Sequence, residues 1–212
     1  MNLDFGLYFI TDRNLSRNGI LNDVASAIRG GANAIQYREK EYPTEQMIAE
    51  SYRIANVCRD NGVSYIVNDH LEVALESGAD GLHIGAKDVD YETARKYMGN
   101  DKIIGVSAYN IEEALEFEKM GANYIGLGPI FKTKTKIDAI DPTGVELLIE
   151  AKEKLKIPYV AIGGIKSYNI HEIIRAGCNG VCMISEILNG NDVEEEVRKI
   201  INLINGGSNG SS

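Results

Sequence analysis

The stretch Gln36-Tyr37-Arg38-Glu39-Lys40 closes an apolar run with a dense set of side chains able to do chemistry. Side chains alternate along a strand, so Gln36, Arg38 and Lys40 share one face, with Tyr37 and Glu39 on the other. Three polar groups, two of them cations, turned into a closed interior require an anionic partner. A strand fraying into a charged loop is the plainer explanation. Asn68-Asp69 end a later run, and Asp88 follows the next one. Two carboxylates beside cations suit a hard divalent ion such as Mg2+, which takes one or two carboxylates and phosphate oxygens besides. Either Asp alone reads first as a helix cap; the pair beside Lys40 gives the metal reading its weight. Ser107 closes a further run and can donate to a phosphate.

The run ending at Gly128 continues into Lys132-Thr133-Lys134-Thr135-Lys136, a basic, hydroxyl-rich loop in an acidic chain. Hydroxyl and ammonium groups of this kind bind phosphate oxygens, although a solvated loop has the same composition. Gly163-Gly164 allow an anion close to backbone N–H groups, and Ile184-Ser185 end the last run. The pattern implies two anion sites. One is strongly cationic, metal-compatible and suited to a diphosphate. The other is mainly backbone amide and suited to a single phosphate.

Eight short runs must position these groups: Leu7–Thr11, Ala34–Arg38, Tyr65–Asn68, Gly81–Gly85, Ile103–Ser107, Tyr124–Gly128, Tyr159–Gly163 and Gly180–Ile184. Most are nearly continuous in apolar residues, as parallel strands covered on both faces are. Amphipathic stretches lie between them. Val193, Val197, Ile200, Ile201 and Ile204 form one stripe, with Asp192 placed to cap it; Ile48, Tyr52, Ala55 and Cys58 form another. Gly31-Ala32-Asn33, Gly78-Ala79-Asp80, Gly121-Ala122-Asn123 and Gly177-Cys178-Asn179 recur before every second run, where glycine stops a helix. About 26 residues per strand-and-helix unit is enough for eight units. The pattern predicts an α/β fold, a closed (β/α)8 TIM barrel whose chemistry lies at the C-terminal strand ends. An open doubly wound sheet is the alternative, but Thr11-Asp12-Arg13-Asn14 is not the glycine-rich turn it normally carries.

The 212 residues support a single catalytic domain over 1–205, followed by a polar, flexible C-terminal tail over 206–212. With 22 basic and 31 acidic side chains the net charge is −9, a poor match for nucleic acid or an anionic membrane. No apolar run approaches the ~18 residues of a membrane span. Cys58, Cys178 and Cys182 include no CxxC pair, and no leader pattern opens the chain; a cytoplasmic location is expected. His70, His83 and His171 lack metal-ligand spacing and read as structural or surface residues.

Taken in order, these stretches resemble the thiamine-phosphate synthase family. The likeness rests on Leu7–Asp12, Gln36–Lys40, Asn68-Asp69, Gly78–Gly85, Gly105–Ser107, Gly126–Phe131, Thr133–Lys136, Ala161–Ile165 and Gly180–Ser185. The resemblance implies a transferase that joins 4-amino-5-hydroxymethyl-2-methylpyrimidine diphosphate to 4-methyl-5-(2-hydroxyethyl)thiazole phosphate, releasing diphosphate, with Mg2+ required. It implies Gln36 on the pyrimidine, and Arg38, Lys40, Asn68, Ser107 and Lys136 on the diphosphate. It further implies Asp69 and Asp88 on the metal, and Thr133, Thr135, Gly164, Ile184 and Ser185 around the thiazole phosphate. Lys136, Arg38, Lys40 and Ser107 would act on the departing group. Tyr109, Ala86-Lys87 and Lys132 depart from residues common in the family. Two other readings are a thiazole tautomerase-like barrel, which needs no diphosphate or metal, and a non-catalytic sensor of a phosphate ligand. The second would have no reason to keep Asp69, Asp88 and Lys136.

Overall fold

The structure, a computed structural model, describes residues 5–133, 141–178 and 180–208, with side chains up to residue 206. Eight strands form one closed parallel barrel in sequence order: β1 (Gly6–Ile10), β2 (Ala34–Tyr37), β3 (Ser64–Asn68), β4 (Gly81–Ile84), β5 (Ile103–Ala108), β6 (Tyr124–Leu127), β7 (Tyr159–Ala161) and β8 (Gly180–Met183). Closure is direct, with Tyr8 of β1 in register with Ala34 of β2 on one side and Cys182 of β8 on the other. The helices are α1 (Ile20–Gly30), α2 (Thr44–Asp60), α3 (Leu71–Ser77), α4 (Tyr91–Met98), α5 (Ile111–Met120), α6 (Glu146–Lys154), α7 (Ile170–Ala176), α8 (Ser185–Leu188) and α9 (Val193–Ser208). The expected barrel is therefore the observed fold, and every expected strand is present to within two residues at each end.

Alternation along the strands sorts the apolar residues into two cores. Leu7, Phe9, Ile35, Tyr37, Val67, Leu82, Ile104, Val106 and Ile125 point outward under the helices. Tyr8, Ile10, Ala34, Ile66, Ile103, Tyr124, Val160 and Cys182 fill the barrel, with Phe5 stacked beneath Tyr8. Room for Tyr124 and His83 comes from two inward-facing glycines. A Cβ on Gly105 would land in the ring of Tyr124, and one on Gly126 would sit 3.1 Å from His83 Cε1.

The repeated glycines act as read: Gly31, Gly78, Gly121 and Gly177 all take left-handed backbone at the ends of α1, α3, α5 and α7. Each turn feeds the next even-numbered strand. Asp192 caps α9 by accepting from the Glu195 amide at 3.1 Å, and Val193, Val197 and Ile200 are buried. Two details differ from expectation. Tyr52 is 56% exposed, because the buried face of α2 runs through Met47, Ser51, Ile54, Ala55 and Cys58, one residue out of phase with Tyr52. The last helix continues to Ser208, past the boundary expected at 205. Among the described residues, no helix is long and apolar enough to cross a membrane.

The facing of Gly105 and Tyr124 generates a test. Gly105→Ala forces a methyl into a filled interior and is expected to destabilise by roughly 1–3 kcal/mol. Urea unfolding measures this, and an unchanged midpoint would mean that the inner layer is not packed around Tyr124.

Candidate active site

The C-terminal strand ends collect those expected residues that are described on one rim. Gln36 lies in β2, Arg38 and Lys40 directly after it, Asn68 and Asp69 at the end of β3, and Asp88 in the turn after β4. Ser107 lies in β5, Thr133 in the loop after β6, Gly164 after β7, and Ile184 and Ser185 after β8. Lys134, Thr135 and Lys136 lie outside the described residues.

Arg38 and Arg13 are each held by a carboxylate on the neighbouring strand end. Thr11, Asp12 and Arg13 leave β1 beside Arg38 and Glu39 leaving β2. Asp12 Oδ2 accepts from Arg38 Nη1 at 3.0 Å, and the Thr11 hydroxyl accepts from the Arg38 amide at 2.9 Å. Arg13 pairs with Glu39 and with Glu50, and stacks 3.8 Å above the ring of Tyr42. The Glu39 carboxylate also accepts from the amides of Lys40 and Glu41, at 2.8 and 2.9 Å. Its side chain is only 1% exposed. Burial alone would raise its pKa, but the Arg13 guanidinium and the two amides outweigh that and hold it below the usual value. Glu39 thus fixes the backbone that presents Lys40, which is itself exposed.

On the β3–β4 side, Asp69 is the only non-glycine among the described residues with positive φ, at +64°. Its amide donates to the His83 carbonyl at 2.8 Å, so the strained residue is tied to the neighbouring strand. The helix-cap explanation does not apply to either carboxylate. His70 precedes α3, and Asp90 caps α4 by accepting from the Thr93 amide at 2.9 Å. Asp88 instead accepts from the Gly85 amide at 2.7 Å, closing its own turn. Among the described residues, no three His, Cys, Asp or Glu side chains gather as a metal cage. Two carboxylates on adjacent strand ends remain compatible with an ion that a ligand's oxygens complete.

The β6 loop is stitched to the end of β7: Ile130 and Phe131 amides donate to the carbonyls of Ile162 and Gly163 at 2.9 and 3.0 Å. Gly163 and Gly164 have φ of +98° and +66°, and a Cβ on Gly164 would meet the Lys132 carbonyl at 2.6 Å. The absent side chains thus let this loop approach. Across the rim, Lys166 Nζ lies 3.1 Å from both Ser185 Oγ and a Glu186 oxygen, and Ser167 donates twice to Glu186. Burial works against the Glu186 carboxylate, but Ser167 and Lys166 hold its pKa below the usual value.

Sequence reasoning missed Asp12, Arg13, Lys166 and the inner polar residues Tyr8, Tyr124 and His83. Of its two expected readings His83 takes the structural one: it is 9% exposed and lies inside the barrel. Strand parity carried the signal, since His83 lies two residues from Gly81 and shares its inward face. The Cys58 and Cys182 thiols are not activated: burial pushes Cys58 up to about 12 and Cys182 well above its ordinary value.

A family model described as thiamine monophosphate synthase matches residues 7–187. The chain is 44% identical over 202 residues to the thiamine-phosphate synthase of Methanosarcina barkeri, covering 95% of this chain and 90% of that protein. It is 44% identical over 191 residues to that of Shouchella clausii, covering 90% and 91%. The solved thiamine phosphate pyrophosphorylase from Pyrococcus furiosus superposes with a TM-score of 0.89 at 37% identity, covering 96% of this chain and 97% of that one.

The buried Glu39 predicts acid-sensitive stability. A carboxylate whose folded pKa is lowered contributes fully above its unfolded value of about 4.3 and loses that contribution as pH falls through the folded value. Glu39→Gln should therefore unfold about 1–2 kcal/mol more easily at neutral pH. The gap should close as the pH is taken below the unfolded value, read by urea titrations across that range. A gap that stays constant would assign the loss to packing and not to charge.

Proposed function

The chain belongs to the thiamine monophosphate synthase family, and its function is that of a thiamine-phosphate synthase, a transferase; from that premise we propose how its rim does the chemistry. The substrates are 4-amino-5-hydroxymethyl-2-methylpyrimidine diphosphate and 4-methyl-5-(2-hydroxyethyl)thiazole phosphate, and the products are thiamine phosphate and diphosphate. The observation that carries this reading is the convergence of Gln36, Arg38, Asn68, Asp69, Asp88 and Ser107 at the same end of four consecutive strands, β2 to β5.

Gln36 meets the pyrimidine, while Arg38, Lys40, Asn68, Ser107 and Lys136 surround the diphosphate. Diphosphate leaves carbon only when the negative charge it accumulates is met by fixed positive charge and hydrogen-bond donors. Asp12 and the Glu39 clamp support this role by setting Arg38 and Lys40 in place before any ligand arrives, so little reorganisation is left for the transition state.

Asp69 and Asp88 are the residues that would hold Mg2+. The strained backbone of Asp69 and the hard-oxygen donor set support that fit. When bound, the ion supplies Lewis-acid neutralisation of the diphosphate oxygens. Thr133, Thr135, Gly164, Ile184 and Ser185 hold the thiazole phosphate, with the thiazole nitrogen facing the carbon that diphosphate leaves. The departing electron pair goes to diphosphate, and the 4-amino pyrimidine stabilises the cation left behind. The thiazole nitrogen then donates its lone pair to that carbon. No general base is needed, since the attacking nitrogen carries no proton; the raised thiols fit that absence of a nucleophilic side chain.

Mixing the two substrates with the protein and Mg2+ tests the reading by the appearance of thiamine phosphate. Lys136→Ala and Asp69→Ala should each lower the rate by roughly 10²–10³. Chelation of Mg2+ should abolish turnover and its return restore it. Unchanged rates in both variants would remove the leaving-group assignment, and ligand binding without turnover would favour the sensor.

A further inference from the structure

The barrel interior holds a chain of polar groups that the proposed chemistry touches only at its two ends. Gln36 Nε2 lies 3.1 Å from the Tyr8 hydroxyl, which lies 2.8 Å from that of Tyr124. The Tyr124 hydroxyl lies 2.9 Å from His83 Nδ1, and His83 Nε2 lies 2.9 Å from Ser107 Oγ. Tyr8 and Tyr124 are fully buried, and Gln36 is 3% exposed. Gly105 and Gly126 leave the space that Tyr124 and His83 fill.

Each phenol has one proton to give. Burial raises the pKa of Tyr8 and of Tyr124, so both keep that proton. A phenol between two hydrogen-bonding neighbours donates to one and accepts from the other. The direction chosen at one end of such a chain therefore propagates to the other. Two orders satisfy every group: all donors point from Gln36 toward Ser107, or all point back with the Gln36 amide turned over.

The ligand chemistry selects between them. Diphosphate oxygens only accept, so a Ser107 hydroxyl serving them donates outward and accepts from His83 Nε2–H. His83 Nδ1 then accepts from Tyr124, Tyr124 accepts from Tyr8, and Tyr8 accepts from the Gln36 amide nitrogen. That leaves the Gln36 carbonyl oxygen as an acceptor, the complement of an exocyclic amino group. Building on the diphosphate and pyrimidine contacts proposed above, we propose that Tyr8, Tyr124 and His83 form a one-way hydrogen-bond relay that couples recognition of the diphosphate at Ser107 to recognition of the amino group at Gln36. His83 and Tyr124 are positioning residues: they set the direction of the Ser107 hydroxyl without touching the reacting atoms.

Nitrogen-15 NMR of histidine-labelled protein reads the relay directly. With inorganic diphosphate and Mg2+ bound, His83 should be neutral, protonated on Nε2 and bare on Nδ1. An Nδ1–H tautomer or an imidazolium at neutral pH overturns the proposal. Tyr124→Phe removes the hydroxyl that orders His83. It should lower kcat/KM for the pyrimidine diphosphate roughly 2- to 10-fold while leaving KM for the thiazole phosphate unchanged. An equal rise in KM for both substrates would mark Tyr124 as merely structural and overturn the relay. The tautomer signal remains decisive if that variant folds poorly. Calorimetric titration separates the remaining failure: if Mg2+ and diphosphate do not bind at all, the underlying reading of the rim falls, and the relay falls with it.

Discussion

Charge at the mouth of a closed barrel has to be met by charge, and that requirement organises everything above the inner layer of this protein. The rim carries cations suited to a polyanion, yet it must also be stable empty. It does so by giving Arg13, Arg38 and Lys166 local carboxylates. Asp12 and Arg13 on one strand end face Arg38 and Glu39 on the next with signs exchanged, so two consecutive pairs close without a like-charge contact. A buried carboxylate with one cation and two amide donors is well compensated for its lost hydration. The same compensation stiffens the β2–α2 turn and delivers Lys40 to solvent at a fixed place.

Below the rim the constraint changes from charge to hydrogen bonding. The inward faces of the eight strands bury their hydroxyls, so the polar groups placed there are chained to one another from Gln36 to Ser107. Glycine on neighbouring strands makes the chain possible, because a side chain at Gly105 would occupy the volume of the Tyr124 ring. Packing and polarity are thus one design problem in the interior: the small residues are there for the sake of the large polar ones.

Much of this was legible along the chain. Alternating apolar runs and glycine stops located the strands, and the polar letters just beyond the runs located the rim. Tyr52 escaped because a helical stripe read from apolar letters alone can be one residue out of phase, and Ser51 and Met47 define the true face. Lys166 escaped because its partners, Ser185 and Glu186, lie on the next strand end and nothing local announces the meeting. His83 escaped because a single histidine in a strand reads the same whether it faces helix or lumen until the barrel's inner face is known.

The sequence by itself determined the order of elements, the parallel closed sheet and the set of groups at the strand ends, since periodicity of two and of 3.6 and the conformational freedom of glycine are properties of neighbours along the chain. Only the tertiary structure decided which of those groups pair: Asp12 with Arg38, Arg13 with Glu39, His83 with Ser107 and Tyr124. Those contacts join residues between 24 and 41 positions apart. Their geometry is set by the tilt and register with which the strands close, a property of the whole barrel and of no segment within it.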